Sequence, residues 1–331
     1  MLKSFFKEHY MIALTLGDVA GIGPEIILKA LKSFSTDDFL IYGDMRILEK
    51  ENRALGFDYI FNAVSDVSQC VKGMVNVMDL HNLSPSDFTM GEESALCGRA
   101  AYEYIEKAVK DALEGKVECV CTAPINKVSL RMAGVPYIGH TEIFASLTGT
   151  DDPLTMFQVE NMRIFFLSRH VSLRRACDMV TYGRLMDYIP RCVKELERLG
   201  VRGTFAVAGL NPHSSDGGLF GDEEKEIERA VEECRRMGLD VVGPVSADSV
   251  FHQCLKGKYS AVLSLYHDQG HIAAKTYDFD RTISLTLGMP VLRISVDHGT
   301  AFDIAGCGIA DETGMKETLS CALRCRPAFL R

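Results

Sequence analysis

The chain has 331 residues, of which 47% are hydrophobic and 24% are charged, and its formal net charge is −9. This composition is typical of an ordinary globular protein and excludes a largely disordered, collagenous or coiled-coil chain. The acidic balance argues against nucleic acid and against an anionic membrane surface as partners. No apolar run approaches the ~18 residues that span a bilayer. The length predicts about two domains.

The N-terminal segment and the cysteines indicate a cytoplasmic protein. The apolar stretch Met11–Leu16 is too short for a secretory signal. Eleven cysteines cannot all pair within one chain, and none belongs to a Cys-x-x-Cys motif, so we expect reduced thiols. Cys321 and Cys325 lie one helical turn apart, but a zinc site there would need two further ligands, and none is apparent in the sequence.

Short runs rich in β-branched residues, each bounded by Gly, Asp or Asn, predict the strands. In chain order these runs are Met11–Leu16, Phe39–Tyr42, Val75–Met78, Val117–Cys121, Leu154–Val159, Arg163–Leu167, Thr204–Ala208, Ser260–Leu265 and Val291–Val296.

Amphipathic segments between these runs predict helices. One apolar stripe runs from Ala101 to Ala112, and another from Leu185 to Leu196, where Pro190 is expected to kink the helix or end its first turn. A charged surface helix is predicted from Asp222 to Met237. Because strands alternate with helices, we expect an α/β fold built from parallel βαβ units.

Two loops that follow predicted strands have the composition of ligand-binding turns. Gly17–Glu25 is a glycine-rich turn into a helix, with Pro24 at the first helical position; it could present backbone N–H groups to an anion or be a plain tight turn. Asp297–Gly306 could hold a ribose or an adenine edge, or be only a structured turn.

Three histidines come just after apolar strands, at the strand ends where α/β folds bind ligands: His170, His213 and His267. Three imidazoles that converge leave an open coordination position, as in catalytic metal sites. Each alone is more often a structural histidine. His271 has the helical spacing of a metal-binding pair with His267, but Gly270 makes that stretch a poor helix.

Further polar residues stand near these elements. His140 and Thr141 lie at a predicted helix start, where Thr141 could be only an N-cap. Arg293 interrupts an apolar strand, where an unpaired charge would be costly, so we expect an anion to pair with it.

Six segments in one order over nearly the whole chain together resemble the 4-hydroxythreonine-4-phosphate dehydrogenase family, the metal-dependent oxidative decarboxylases of pyridoxal phosphate synthesis and their relatives. These segments are Gly17–Glu25, Thr122–Lys127, Gly139–Glu142, Asn211–Gly218, Tyr266–Gly270 and Asp297–Gly306. The last segment, Asp297–Gly306, also resembles the adenine loop of isopropylmalate and isocitrate dehydrogenases.

The resemblance implies the fold of those dehydrogenases: α/β, with two α/β/α domains around a cleft. We expect one domain from residues 1–135 and 295–331, with the terminal strands and cofactor loop, and another from 136–294, with metal ligands and dimer contacts.

The resemblance also implies roles by position. The divalent-metal ligands would be His170, His213 and His267, in a site completed across a homodimer interface. The substrate-binding residues would be His140, Thr141, Lys275, Ser284 and Arg293. The NAD or NADP contacts would be His298, Gly299, Thr300, Ala301 and Asp303. The candidate proton carriers are Lys127, Asp248 and Asp268, although each could instead orient a neighbouring group.

Two positions depart from the family pattern. Ser284 stands where the family usually has Asn, and Val19 stands where Pro is usual. Ser284 loses an amide and leaves room, so the substrate could differ from phosphohydroxythreonine. The runs Tyr266–Ile272 and Leu219–Glu224 look more like the subgroup that acts on D-threonate or D-erythronate 4-phosphate.

The implied reaction is oxidation of a phosphorylated four-carbon hydroxy acid followed by β-decarboxylation, either of 4-phosphohydroxy-L-threonine to 3-amino-2-oxopropyl phosphate or of the analogous acid-sugar phosphate. Three imidazoles favour zinc, cobalt or manganese over magnesium. A three-histidine zinc hydrolase and a non-catalytic metabolite-binding protein are the alternatives. The Asp297–Gly306 loop argues against the first, and the intact histidine trio against the second. A dihydrodiol-dicarboxylate dehydrogenase of the same family is a variant, against which the intact His140-Thr141 pair counts.

Overall fold

The computed structural model describes residues 11–329. The chain divides into two compact units: unit 1 is Met1–Asp152 with Met289–Arg331, and unit 2 is Pro153–Gly288. The unit boundaries therefore follow residues 152 and 288, where the sequence suggested 135 and 294. The first ten residues, on which part of the argument against a secretory signal rests, lie outside the described residues.

The strands in chain order are β1 (Met11–Thr15), β2 (Phe39–Gly43), β3 (Phe61–Val64), β4 (Val75–Asp79), β5 (Val117–Thr122), β6 (Leu154–Val159), β7 (Met162–Phe166), β8 (Phe205–Ala208), β9 (Val241–Val245), β10 (Ala261–Ser264), β11 (Ile283–Leu287) and β12 (Leu292–Val296). The α-helices are α1 (Gly23–Leu31), α2 (Met45–Ala54), α3 (Ala95–Leu113), α4 (Lys127–Met132), α5 (His140–Thr148), α6 (Leu173–Asp178), α7 (Tyr182–Arg198), α8 (Glu224–Arg236), α9 (Ala247–Leu255), α10 (His267–Tyr277) and α11 (Thr313–Phe329).

The strand predictions are confirmed, each to within one residue at either end. The sequence missed β3, β9 and β11. β3 has only one buried residue, Val64, and β9 contains Gly243 and Pro244. β11 alternates apolar residues with Ser284 and Thr286, although both of its faces are buried. Because β11 contains polar residues, hydrophobicity alone does not identify it as a buried strand.

Unit 1 contains six strands in the order β3-β4-β2-β1-β5-β12, and its paired neighbours run parallel. Helix α3 packs on β1, β2 and β5, while α11 packs on β5 and β12. Since parallel strands share a direction, the loops that follow β1, β5 and β12 leave from the same edge.

Unit 2 contains six strands in the order β11-β6-β7-β10-β8-β9. β6 is antiparallel to β7 and to β11, so the expectation of parallel units does not hold there. β7, β10, β8 and β9 are parallel and build the core with apolar side chains that include Ile164, Phe166 and Val262. Consequently the ends of three adjacent strands, β7, β10 and β8, meet at one edge.

The three predicted helices are confirmed as α3, α7 and α8. Of the two outcomes expected at Pro190, an end of the helical turn is wrong, because α7 continues through the proline, while the expected kink stays a prediction. Buried Leu185, Ile189 and Leu196 anchor the apolar face of α7, and their burial outweighs the roughly 3 kcal/mol that an interior proline costs. Within residues 11–329, no helix combines the length and apolar character needed to cross a membrane.

Candidate functional site

Two hydrogen bonds join the loops that follow β7, β8 and β10. The Ser168 hydroxyl donates to the carbonyl oxygen of Leu265 at 2.9 Å, and the Gln269 side-chain amide donates to the carbonyl oxygen of Gly209 at 2.9 Å. Each of these loops carries one of the three histidines singled out in the sequence. The fold therefore brings the three segments to one sheet edge, as predicted for a ligand site.

His267 is held at the start of α10 by its neighbour. Its Nδ1 lies 2.6 Å from Oδ1 of Asp268, and the carboxylate can only accept, so Nδ1 carries the proton. The lone pair is then on Nε2. Metal-binding histidines commonly have their second nitrogen oriented by a carboxylate in this way.

His170 lies beside His267, with 6.0 Å between the ring centroids. With each nitrogen about 2.1 Å from a metal, two imidazoles on one ion have centroids about 5–6 Å apart, so this pair has a suitable separation. Imidazole nitrogens suit zinc and other divalent transition metals. The donor chemistry of the pair therefore fits the implied metal.

His213 lies in an unusual left-handed turn. Four consecutive non-glycine residues have positive φ: His213 (53°), Ser214 (54°), Ser215 (66°) and Asp216 (45°). Such a conformation costs L-residues about 1–2 kcal/mol each, so the surroundings must impose it. The Ser215 carbonyl oxygen does so in part, because it accepts the backbone N–H groups of residues 218–220.

Glu224, at the start of α8, holds the chain just before this turn. Its Oε1 accepts the backbone N–H groups of Leu210 (2.9 Å) and Asn211 (2.7 Å), and its Oε2 accepts from Nδ2 of Asn211 at 2.8 Å. The glutamate is only 3% exposed. The sequence predicted a charged surface helix here. Nothing in the sequence indicated that Glu224, the first residue of that helix, is buried.

The described part of one chain contains no group of three His, Cys, Asp or Glu side chains arranged to hold a metal ion. The convergence of all three histidines is therefore not seen within a single chain, and their joint role stays a prediction. Cys321 and Cys325, whose Sγ atoms are 3.9 Å apart, likewise belong to no such group.

His271 lies on α10, where the sequence argued against a helix. The helix forms because Gly270 lets it approach the sheet closely: a Cβ there would lie 2.6 Å from Cε1 of Phe166 and 2.8 Å from Cγ2 of Ile164. His271 and His267 thus share one helix face. Burial lowers the pKa of His271 to about 4, so its imidazole is neutral near pH 7.

Asp248 and Asp268, two of the three candidate proton carriers, line one cavity of about 650 Å³ in unit 2. Tyr266 and Tyr277 also line it, as do apolar side chains from α9 and α10. Both carboxylates are exposed. Lys127, the third candidate, is exposed at the first position of α4 in unit 1, where Asn126 caps the helix.

Arg293 is buried on β12 in unit 1 and donates from Nε to Oγ1 of Thr122 at 3.1 Å. Burial lowers the pKa of its guanidinium to about 10, which leaves it charged at neutral pH, and its carbon Cζ lies 5.8 Å from the Phe144 ring centroid. This charge on an apolar strand is the arrangement that led us to expect an anion.

His140 begins α5 and has a buried Nε2 with no hydrogen-bond partner among the described residues. Burial, followed by the nearby Arg293 cation, lowers the pKa of His140 well below its ordinary value, so the ring is neutral. A buried polar atom without a partner costs free energy unless a ligand or water satisfies it. The alternative that Thr141 is an N-cap is wrong, because Gly139 holds that position.

Lys275 and Ser284, the other implied substrate residues, are in unit 2. Lys275 lies in the last turn of α10, with Nζ 5.0 Å from the Phe279 ring centroid. Ser284 is 8% exposed on β11, directly opposite Phe157 of β6. The role of both residues in substrate binding stays a prediction.

The implied cofactor loop, Asp297–Gly306, packs on the glycine-rich first loop. The Ile22 N–H donates to the carbonyl oxygen of Thr300 at 3.0 Å, and a Cβ at Gly21 would lie 2.6 Å from that oxygen. Residues 17–24 are all buried, so the first loop supports its neighbour and exposes no anion-binding surface. Gly299 and Asp303 are exposed, and His298 and Ala301 are partly exposed, which leaves this side of the loop open to a ribose or adenine.

Comparison with known proteins gives concordant matches. The sequence profile of the family described as "Pyridoxal phosphate biosynthetic protein PdxA" matches residues 35–322. A Fusobacterium nucleatum protein with the provisional name D-threonate 4-phosphate dehydrogenase is 53% identical over 324 residues, 96% of this chain and 98% of that protein. A Clostridium botulinum protein with the same provisional name is 51% identical over 329 residues, 96% of this chain and 98% of that one. The crystal structure of 4-hydroxythreonine-4-phosphate dehydrogenase from Klebsiella pneumoniae superposes with a TM-score of 0.88 at 37% identity, covering 96% of this chain and 99% of that one.

Proposed function

Because the chain belongs to the PdxA family of pyridoxal phosphate biosynthetic proteins, we propose that it oxidises a phosphorylated four-carbon hydroxy acid of the D-threonate 4-phosphate type and then decarboxylates it. The predicted family, the α/β fold and the dehydrogenase class are confirmed. The choice of substrate is the new part of the proposal. It is supported by the names of the relatives above 50% identity and by Ser284 in place of the family asparagine.

The observation that carries the proposal is the pair formed by Arg293 and His140. The buried Arg293 guanidinium and the buried, unsatisfied Nε2 of the neutral His140 ring support binding of an oxyanion here, and charge-assisted hydrogen bonds of this kind are short and strong. Thr141 adds a hydroxyl beside them. Lys275 and Ser284 of unit 2 stay our candidates for substrate binding, as the family resemblance implies.

We assign a divalent metal to His170, His213 and His267, with zinc preferred and cobalt, manganese or magnesium as alternatives. When bound, the metal supplies Lewis-acid stabilisation of negative charge on substrate oxygens. Asp268 keeps the His267 lone pair on Nε2. Asp248, on the cavity that Asp268 also lines, is our candidate to accept the hydroxyl proton, and Lys127 our candidate to return a proton to carbon after CO₂ leaves.

The nicotinamide cofactor, NAD or NADP, is assigned to the exposed side of the Asp297–Gly306 loop. Gly299 has open space around it, and the exposed Asp303 carboxylate can accept a hydrogen bond from a ribose hydroxyl. His298, Thr300 and Ala301 complete this assignment. The buried first loop supports the Asp297–Gly306 loop through the hydrogen bond from the Ile22 N–H to the Thr300 carbonyl oxygen.

We also propose that the enzyme is a cytoplasmic homodimer whose metal site uses ligands from both copies. Support comes from the three histidine loops, which share one sheet edge without forming a three-ligand group in one chain. The cytoplasmic location rests on the odd number of cysteines and on the lack of a Cys-x-x-Cys motif in the sequence.

The decisive experiment measures NADH or NADPH formation by the zinc-supplemented enzyme. D-threonate and D-erythronate 4-phosphates are compared with 4-phosphohydroxy-L-threonine, with His170→Ala as the blank. Turnover of the acid-sugar phosphates alone supports the proposal. Turnover of phosphohydroxythreonine alone contradicts the substrate choice. No turnover and no nucleotide binding would favour the hydrolase or the non-catalytic reading.

Shared ligands are tested by mixing inactive variants. His170→Ala, His213→Ala and His267→Ala are unfolded and refolded together in pairs. If ligands come from both copies, at least one pair recovers roughly a quarter of wild-type activity, since half of the dimers are mixed and each has one intact site. If every pair stays inactive while wild type recovers, the site belongs to one chain.

A further inference from the structure

His271 is stacked on the imidazole of His267. The ring centroids are 3.5 Å apart and the planes differ by 12°. The Nδ1 of His271 lies 2.8 Å from the carbonyl oxygen of His267, and since a carbonyl only accepts, Nδ1–H donates. His271 is therefore fixed both to the backbone and to the ring of the same residue.

The other contacts of His271 are with rigid core side chains. Its ring centroid lies 4.3 Å from that of Phe157 and 4.6 Å from that of Phe166. Phe157 is 3% exposed and Phe166 fully buried, and these two rings pack edge to face at 5.1 Å. Because Gly270 presses this turn of α10 against the sheet, His271 cannot withdraw from the aromatic pair.

His267 is consequently held from two directions. Asp268 fixes its edge through Nδ1, and His271 fixes its face through the stack. A hydrogen bond at one ring nitrogen sets the tautomer but still allows the ring to swing. A parallel ring against its face removes that remaining freedom, so the direction of the Nε2 lone pair is set before any ligand arrives.

We propose that His271 is a positioning residue for His267, which fixes the imidazole plane from which Nε2 binds the metal. The inference rests on the proposed metal site and deepens it. His271 is not itself a ligand of that ion, because ligands of one ion point towards a common centre, whereas these rings are nearly parallel and Nδ1 of His271 is already engaged.

The test compares two substitutions. His271→Leu removes the flat ring, while His271→Phe keeps a ring able to stack and loses only the hydrogen bond to the backbone. His81→Asn, at an exposed histidine of unit 1, is the control, since asparagine tolerates the positive φ of 54° found there. His267→Ala defines the absence of the proposed ligand.

The first measurement is the affinity of the folded metal-free protein for Co²⁺, by competition with a chromophoric chelator, together with the visible absorption of the cobalt protein. We expect His271→Leu to bind Co²⁺ about tenfold more weakly and with an altered spectrum, and His271→Phe to recover most of the affinity. Unchanged affinity in folded His271→Leu, even with a lower Tm, overturns the inference. A loss as complete as in His267→Ala overturns it too, because His271 would then be a ligand.

The second measurement needs no metal. The ¹⁵N chemical shifts of the His267 ring in histidine-labelled metal-free protein report its tautomer and its mobility. We expect the proton to stay on Nδ1 in all three proteins, because Asp268 is unchanged. The His267 ring should be rigid in wild type and His271→Phe, and mobile in His271→Leu. If wild type binds Co²⁺ no better than His267→Ala, the proposed metal site is wrong. If the His267 ring is equally rigid with and without His271, the proposed positioning role of His271 is wrong.

Discussion

Gly270 and Phe166 are so close that only a glycine fits between α10 and the sheet: a Cβ at residue 270 would lie 2.6 Å from Cε1 of Phe166. Ser264 and Ile164 would meet the same atom at 2.8 Å. Glycine has the lowest helix propensity short of proline, yet Gly270 lies within α10, the helix that carries His267 and His271.

We therefore expect Gly270→Ala to destabilise the protein. Alanine gains about 1 kcal/mol in helix propensity, but forcing a methyl group into this contact costs about 1–3 kcal/mol, so the net loss is about 1 kcal/mol. Urea denaturation measures it. Gly183→Ala, in α7 with no atom within 4 Å of the added Cβ, is the matched control and should be neutral or stabilising. Equal gains at both positions would contradict the close contact.

We expect Glu224 to contribute more to the free energy of unfolding than its neighbour Glu223 does. Glu224→Gln loses a charged acceptor for two backbone N–H groups and sets an amide NH₂ against that of Asn211, which should cost about 1–3 kcal/mol in the free energy of unfolding. Hydrogen exchange of residues 210–218 should rise with it. Glu223→Gln, which loses one exposed contact to Asn211, should cost at most about 0.5 kcal/mol. Similar losses in both would contradict the clamp.

His140 should make stability depend on pH. Its pKa in the folded protein is well below 6.5, so below pH 6.5 the unfolded chain binds a proton that the folded chain does not. Stability from this residue is thus complete above pH 6.5 and falls by about 1.4 kcal/mol per pH unit below it, until the folded pKa is reached. Denaturation at pH 5.0 to 7.0 should show a shallower slope for His140→Gln than for wild type. His252→Gln, at an exposed histidine of α9, controls for the loss of an imidazole; parallel slopes for wild type and His140→Gln would refute the expectation.

Arg293→Lys should impair substrate binding although it keeps the positive charge. Lysine cannot reproduce the planar guanidinium that reaches Oγ1 of Thr122 and still presents further N–H groups to an anion. We expect kcat/KM for the phosphorylated acid to fall about 10²-fold, mainly through KM. Arg281→Lys, at an exposed arginine of unit 2, should change it less than twofold. A normal KM in Arg293→Lys would remove this residue from the substrate site.

Ser284→Asn should shift the substrate preference. The position is 8% exposed beside Phe157, so the larger amide changes the room and the hydrogen bonding available to a ligand there. We expect the ratio of kcat/KM for 4-phosphohydroxy-L-threonine to that for D-threonate 4-phosphate to rise about tenfold or more. Ser35→Asn, at an exposed N-cap that suits either residue, should leave the ratio unchanged. An unchanged ratio in Ser284→Asn would place specificity elsewhere.

The sequence predicted the helices and strands better than it predicted the contacts that stabilise them. Runs such as Val117–Cys121 form strands because this buries their apolar side chains in the sheet. Nine such runs were predicted and found. Gly270 and Pro190 misled the reading, since tertiary contacts outweigh helix propensity at both. Glu224 gave no signal because its three donors come from residues 210 and 211, and only the folded chain brings them together.

The interruption of unit 1 between Asp152 and Met289 fixes the order in which a ribosome can complete the two units. Strand β12 and helix α11, which pack on β5, emerge only after the whole of unit 2 has been made. One edge of β5 therefore stays without its hydrogen-bonding neighbour during much of synthesis, an exposure that invites association between nascent chains. A message cut short before residue 289 would encode every strand of unit 2 but an unfinished unit 1.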